Sequence, residues 1–463
     1  MKIFNSKTGK KENFVPLTDG KVGIYLCGPT VYDAPHLGHG RSAVSFDLIR
    51  RYLIHKGFDV TFVSNYTDID DKMIKNAEEK GVSVKELANL VIPEYERDYD
   101  ALGIMRPDIQ PKATDYITEM VAIITKLEEK GFTYVLDDGV YFDVSLYPDY
   151  GKFSKQNLDE LQMGARVDIK EGKRNPQDFV LWKFRKQGEP FWASPWGDGR
   201  PGWHIECSAM SYKHLGEKFD IHGGGLDLKF PHHECEVAQS LCSFGSDSFA
   251  RYWMHNGFIQ IDNEKMSKSL GNFFTLKDIF EKYDPAVVRF MFLQTHYRNP
   301  INFSDNLLEQ AKAGLNRLRS FSQNIKFLKK ADNESAASFD GCKKFEERFE
   351  DFMDNDFDTA GALGVIFELV KEVNSFKDEN GLSKVSAEEI ENFLKKVDDV
   401  FVVMFKDKTP EDSIADEIQT KINERDEARR NRDFKKSDAI RDELLEKGIL
   451  LEDTPQGTVW KKI

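Results

Sequence analysis

A run of apolar residues, Val22-Gly-Ile-Tyr-Leu26, leads straight into Cys27-Gly-Pro-Thr-Val-Tyr-Asp-Ala-Pro-His-Leu-Gly-His-Gly-Arg41, and that handover constrains the fold more than any other stretch. The run reads as a short strand covered on both faces. Beyond the turn, Val44, Leu48 and Tyr52 share one helical face and Phe46, Ile49 and Leu53 the next, as a helix packed on a parallel sheet requires. Strand, turn and helix therefore open an α/β unit. A helix N-terminus offers unpaired N–H groups and a partial positive charge, which places His36 and His39 where a polyphosphate docks. Gly38 removes a side chain where a flat base or sugar would press on the backbone. Two histidines this close are also common at a solvated helix start, so a second feature is needed.

That feature comes late in the chain. Lys265-Met-Ser-Lys-Ser269, followed by Leu-Gly-Asn272, is a compact basic loop after the apolar-rich Gly257-Phe-Ile-Gln-Ile261. Its lysines, hydroxyls and nearby glycine suit a clamp on phosphate oxygens, with Lys265 and Lys268 as point charges. Alone it reads as a surface loop. In this order, His-Leu-Gly-His and Lys-Met-Ser-Lys-Ser resemble the paired signatures of class I aminoacyl-tRNA synthetases. The residues around them narrow the resemblance. Cys27-Gly-Pro-Thr-Val-Tyr-Asp33, Asn65-Tyr-Thr-Asp-Ile-Asp-Asp-Lys72, Gly202-Trp-His-Ile-Glu-Cys-Ser208, His222-Gly-Gly-Gly-Leu-Asp227 and Phe230-Pro-His-His-Glu-Cys-Glu236 resemble the cysteinyl-tRNA synthetase family. So does the tail, Gly448-Ile-Leu-Leu-Glu-Asp-Thr-Pro-Gln-Gly-Thr-Val-Trp460, and the resemblance runs from near residue 20 to the end.

Composition sets the bounds. A chain of 463 residues exceeds one core and suggests about three domains. The net charge of -14 argues against a uniformly basic nucleic-acid binder, but a local basic face is what meets phosphate. Ala428-Arg-Arg-Asn-Arg-Asp-Phe-Lys-Lys436, with five basic residues against one acid, is such a face or an ordinary solvated helix. Five cysteines, Cys27, Cys207, Cys235, Cys242 and Cys342, make no paired framework and fit a reducing compartment. The first residues contain no apolar segment suited to a signal or a membrane span. A cytoplasmic, soluble protein with no membrane association is expected, working as a monomer.

The expected architecture is α/β. It comprises a Rossmann-type parallel-sheet catalytic domain split by an insertion, then an α-helical bundle and a small mixed α+β C-terminal module. The catalytic domain spans residues 1–120 and 201–250, with the connective insertion at 121–200. A stem-contact region with the lysine loop follows at 251–306, the bundle at 307–405 and an anticodon-binding module at 414–463. Phe58-Asp-Val-Thr-Phe-Val63 is the second strand, and Thr67, Asp68 and Asp70 are N-cap candidates after it. Ile117, Met120, Val121, Ile124 and Leu127 form a helical stripe that Gly131 closes. From Phe132 to Trp192 short alternating runs take over, with Trp182, Trp192 and Trp196 as packing residues. The sheet resumes near Gly202, and Phe219 to Gly225 is a strand running into a glycine turn. Lys406 to Ser413 reads as a linker.

The resemblance implies one zinc ion held by Cys27, Cys207, His232 and Glu236, although histidines and glutamates opening a helix are also ordinary caps. His232 and Glu236 are four apart and share a helical face; the cysteines come from the ends of separate strands. Two thiolates, an imidazole and a carboxylate suit Zn2+. A zinc ion there would favour a thiolate over an alcohol and so distinguish cysteine from serine. Cys235 stands where asparagine is commoner in the family and is left outside the ligand set.

The resemblance further implies ATP-dependent activation of L-cysteine, with Mg2+ accompanying ATP, and transfer to tRNA-Cys. His36, His39, Lys265 and Lys268 would stabilise phosphate charge, with Gly38 and Asp227 also at the nucleotide. Thr67, Trp203 and His204 would line the amino-acid pocket. Arg429, Phe434, Asp438 and Asp453 would meet the anticodon, an aromatic beside arginine being a sensible single-strand reader. Phe434 stands where relatives carry tryptophan. Two rivals are a ligase joining cysteine to the amino sugar of mycothiol, which should lack the tail, and a non-catalytic zinc-holding RNA-binding protein, which leaves the lysine loop without a purpose.

Overall fold

Four parallel strands organise the first unit of the chain, in the order Phe249–Asn256, Lys218–Gly225, Lys21–Leu26, Asp59–Ser64. The computed structural model describes residues 1–156, 172–261, 264–265, 274–329, 336–405, 418, 421–422, 424–425, 428–429, 433–454 and 457–462. Parallel neighbours need a crossover, and helices supply two of them. Leu37–His55 carries the chain from Lys21–Leu26 to Asp59–Ser64, and Glu234–Phe244 from Lys218–Gly225 to Phe249–Asn256. The two central strands come from distant parts of the sequence, Ile24 pairing with Ile221. The sheet is thus split as expected. Its edge strand continues to Asn256, past residue 250, where the sequence reading ended this half.

Burial explains why these strands are so apolar. Ile24, Tyr25, Val63 and Ile221 are fully covered, and Phe46, Leu48, Ile49, Tyr52 and Leu53 of the first helix are nearly so. Gly223 is obligatory here, since a Cβ would lie 2.1 Å from the Phe46 ring. Two details differ from expectation. Gly202 does not resume the sheet; it precedes the helix Trp203–Leu215, and the strand begins only at Lys218. Gly223 to Gly225 are not a turn but the end of that strand, kept side-chain-free by Phe46 and by His233, which stands 2.9 Å from the Cβ position of Gly224.

The insertion is an antiparallel sheet, Thr133–Leu136, Gly139–Phe142, Phe179–Phe184 and Gly199–Pro201, paired in sequence order. Phe142, Leu181 and Trp182 are buried in the same core as Tyr25, Ile205 and Trp253, which ties this sheet to the parallel one. Arg200 and Lys183 add an ion-paired contact, both reaching Asp71 at 2.6 Å. The helix before it, Ile117–Glu129, buries Ile117, Met120, Ile124 and Leu127, and Gly131 follows at φ +79°.

Four helices, Asp305–Leu328, Cys342–Asp354, Thr359–Asn380 and Lys384–Phe401, pack on one another through apolar faces. Leu308, Ala311, Leu315, Leu318, Phe345, Phe349, Ile366 and Leu369 are all buried. A second compact unit spans Phe405–Ile463. It contains the helix Phe434–Glu446 and the antiparallel pair Ile449–Thr454 and Gly457–Lys462, around Ile418, Ile422, Ile440, Leu444, Ile449 and Leu451. The expected linker at 406–413 lies outside the described residues. No described helix is long and apolar enough to cross a membrane.

Candidate active site

At the C-terminal ends of the parallel strands lies a cleft of about 330 Å³. Cys27, His36, Gly38, His39, Trp203 and Asp227 all line it. Open parallel sheets place ligands at this edge because backbone groups and helix N-termini converge there.

One end of the cleft is built locally. His36 is the N-cap of Leu37–His55, with its side chain accepting from the His39 N–H at 3.2 Å. The His39 ring accepts in return from the His36 N–H at 3.3 Å. This reciprocal cap lays the two imidazoles face to face, 3.5 Å between centroids and 16° apart. Burial and the neighbouring His36 hold His39 well below the usual histidine range. Arg41, one turn on, is buried and gives its guanidinium to the carbonyls of Phe258, Tyr297 and Asn299. Burial lowers that guanidinium to about 10.

The other end is assembled from four distant segments. Cys27 follows the strand Lys21–Leu26, its N–H extending the ladder to Gly223 O at 3.0 Å. Cys207 comes from the second turn of Trp203–Leu215, not from a strand end as the sequence reading had it. His232 and Glu236 span the junction of a π turn, Lys229–His233, with the helix Glu234–Phe244, and remain one turn apart as expected. The structure brings the four together: Cys27 Sγ is 3.4 Å from Cys207 Sγ and 3.5 Å from Glu236 Oε1, and His232 Nε2 is 3.0 Å from the same oxygen. All four are buried, with their candidate donor atoms within 4.8 Å of one another.

Electrostatics at this end are strongly perturbed. Burial would raise Glu236, but His222 and His232 outweigh it and take the carboxyl to about 2. Burial would lower His232, but Glu236 and Cys207 overcome it and raise the imidazole to about 10. Burial and the Cys207 sulfur push the Cys27 thiol well up. A second grouping, Cys27, His222, His233 and Glu236, also falls within 4.8 Å. The first is the better donor set, since it offers two thiols and His222 Nε2 already binds the other Glu236 oxygen at 2.8 Å.

The substrate-pocket candidates fall around this cluster. Trp203 forms part of the cleft wall, 38% exposed, with its ring 4.3 Å from His232. His204 is not among the cleft-lining residues; its Nδ1 is 3.0 Å from His232 Nδ1. Thr67 is also absent from the cleft lining; it is buried and donates to Glu206 Oε2 at 2.9 Å. Asp227 is exposed at the cleft rim. Lys265 ends a two-residue strand paired with Ile259–Ile261; Lys268 lies outside the described residues. In the second unit Arg429 and Asp438 are exposed, and Phe434 opens its helix 62% exposed, one turn before Asp438. Asp453 lies in the strand Ile449–Thr454.

Sequence reasoning missed the shell behind the cluster. His222 stacks on Trp253 with centroids 4.3 Å apart and steadies Glu236. His233 reaches His255 at 2.9 Å, which reaches Ser6 at 2.8 Å. Glu206, fully buried, is pushed well above the usual carboxylate range by burial and by Cys207. His222 and His255 sit on strands, Glu206 on a helix and His233 at a helix junction, and no local sequence pattern links them.

Residues 13–313 match the family described as tRNA synthetases class I (C) catalytic domain, and residues 348–406 match the DALR domain. A cysteine–tRNA ligase of Geobacter metallireducens is 50% identical, covering 100% of this chain and 99% of the relative. The chain belongs to the cysteine–tRNA ligase family. The counterpart from Clostridioides difficile is 48% identical, with 100% of both chains covered. Members of this family are class I aminoacyl-tRNA synthetases, and the chain is accordingly a ligase. Solved structures agree on the fold. Mycobacterium tuberculosis methionyl-tRNA synthetase in complex with methionyl-adenylate matches with a TM-score of 0.61 at 16% identity, covering 82% of this chain and 89% of that one. A leucyl-tRNA synthetase of Agrobacterium radiobacter, solved as a ternary complex, matches with a TM-score of 0.62 at 11% identity, covering 84% and 85%.

Proposed function

We propose that this chain converts L-cysteine and ATP to cysteinyl-adenylate and passes the cysteinyl group to the 3'-terminal ribose of tRNA-Cys, with one Zn2+ recognising the substrate thiolate. The observation that carries the reading is the double membership of Cys27. It belongs to the buried donor cluster and also to the wall of the cleft that His36, His39 and Asp227 line.

The residues present fit zinc. Bonds of about 2.0–2.3 Å arranged tetrahedrally put neighbouring ligand atoms about 3.3–3.8 Å apart. The three separations around Glu236 Oε1 and the two sulfurs, 3.0, 3.4 and 3.5 Å, are close to that spacing. Cys27, Cys207, His232 and Glu236 would hold the ion. His204 behind His232, and His222 behind Glu236, are the outer partners that orient such ligands. When bound, Zn2+ supplies a preference for a thiolate over an alcohol, which separates cysteine from serine.

The chemistry at the other end is electrostatic. A cysteine carboxylate oxygen attacks the α-phosphorus of ATP, the bond to the bridging oxygen breaks, and pyrophosphate leaves. Charge gathers on the α-phosphate and the departing group, so the protein's task is to place donors there. His36 and His39 serve from the helix start, and Lys265 and Lys268 from the loop, with Mg2+ arriving on ATP. Asp227 at the rim accepts from the ribose, and Gly38 leaves room for the nucleotide. Thr67 and His204 sit behind the amino-acid pocket, and Trp203 forms its wall. A ribose hydroxyl of tRNA then attacks the acyl carbon and AMP leaves. Arg429, Phe434, Asp438 and Asp453 would read the anticodon; the exposed Phe434 ring supports a stacking role.

Cysteine-dependent ATP–pyrophosphate exchange tests the first step. Exchange with cysteine, at least about 100-fold weaker with serine, is expected. Protein that holds zinc but exchanges with neither amino acid overturns the proposal. Charging of a tRNA-Cys transcript by the same preparation tests the second step.

A further inference from the structure

Behind the histidine pair lies a group with no role in the reaction as described so far. Tyr95, on the helix Val84–Ala101, is fully buried, and its hydroxyl stands 3.1 Å from His39 Nδ1. That nitrogen also faces the His36 N–H at 3.3 Å. A backbone N–H can only donate, so His39 Nδ1 is an acceptor and carries no proton. The same argument applies to His36, whose Nδ1 takes the His39 N–H. A neutral imidazole with a bare Nδ1 carries its hydrogen on Nε2. The tyrosine hydroxyl is therefore the donor.

We propose that Tyr95 is a positioning residue that holds His39 as its Nε2–H tautomer, so that the stacked His36–His39 pair meets the ATP phosphates with two N–H donors. The inference rests on the ATP reading above. The backbone N–H makes Nδ1 an acceptor, but at 3.3 Å that bond is long, and the tyrosine hydroxyl gives the same nitrogen a second donor. With the opposite tautomer, two donors would collide at Nδ1 and a lone pair would face phosphate oxygens. Tyr95, donating to the nitrogen that the backbone N–H already makes an acceptor, weights the balance against that alternative. Its ring is itself fixed edge-on by Tyr66 and Tyr99, with centroids 6.3 and 5.8 Å away. Burial keeps its phenol protonated by pushing it well above the ordinary value.

The test is Tyr95→Phe, which keeps the ring and deletes the donor. In ¹⁵N-histidine-labelled wild-type protein, the His39 signals, assigned by their loss in His39→Asn, are expected to show a bare Nδ1 and a protonated Nε2. In Tyr95→Phe they should move toward a mixture of tautomers. The kcat of cysteine-dependent exchange should fall about tenfold, with the KM for cysteine within about twofold. A protonated Nδ1 in the wild type overturns the proposal, even if the variant fails to fold. An unchanged tautomer in the variant, or an unchanged kcat, also overturns it, as does a KM for cysteine that rises as much as kcat falls. Wild-type protein without exchange would sink the proposed function instead, and the tautomer would still be readable.

Discussion

The two ends of the cleft are built on opposite plans. The histidine end is local: His36 and His39 are three residues apart, cap each other, and stay half exposed on one helix. The cysteine end is global: Cys27, Cys207, His232 and Glu236 are buried and are drawn from a strand end, a helix and a helix junction. A local site tolerates error elsewhere in the fold because its geometry is written into one turn. A global site inherits its geometry from the whole parallel sheet and depends on its outer partners. Single changes should therefore act differently at the two ends.

The largest effect is expected from Cys207→Ser. Removing one thiolate from a four-ligand set should empty the metal site by atomic absorption and raise the KM for cysteine by at least about 100-fold. Full metal content would break the comparison at its global end. Next, His39→Asn should lower kcat of exchange by about 100-fold and leave metal content and the KM for cysteine nearly unchanged. A lost metal there would mean that the two ends are not independent. His222→Gln leaves every proposed ligand in place and removes the imidazole beside Glu236. A fall of about 10- to 100-fold in metal affinity, measured by competition with a chelator, is expected. Unaltered affinity would show that the outer shell does not set the ligand geometry.

Asp71→Asn gives the smallest change, at the seam between the parallel sheet's unit and the inserted one. Burial alone would raise Asp71, but Lys183 and Arg200 take it to about 2. A carboxylate depressed in this way contributes stability above its unfolded value near about 4, and that contribution is lost as pH falls toward 2. The side chain is 68% exposed, so screening keeps the effect within about 1 kcal/mol. Urea midpoints at pH 7 and pH 3 should show wild type and variant converging in acid. A constant difference would remove the ion pair as its cause.

The same division decides how much could be read from sequence. The strand, turn and helix at Val22 to Leu53 were legible because their signals are local: an apolar run, a break in it, a helical stripe. The helical character of the bundle was legible from the same kind of signal. Gly223 to Gly225 were misread as a turn because three glycines locally favour one, whereas here each gives way to a neighbour such as Phe46 or His233. Cys207 was misplaced on a strand because the sheet was taken to resume at Gly202. Yet Ile205, Ala209 and Met210 already had helical spacing, and all three are buried. His222, His233 and His255 escaped notice, since their importance arises only when Lys218–Gly225 lies beside Phe249–Asn256 and the junction at His233.

The late pairing of Ile24 with Ile221 has a consequence for the protein's birth. Cys27 leaves the ribosome early, but the last of its three prospective companions, Glu236, is more than 200 residues behind it. A nascent chain must carry that thiol, reduced and unclaimed, through the synthesis of the whole inserted sheet. Loading of the proposed metal would thus be a late event, and oxidants met during translation would reach this sulfur before its companions do.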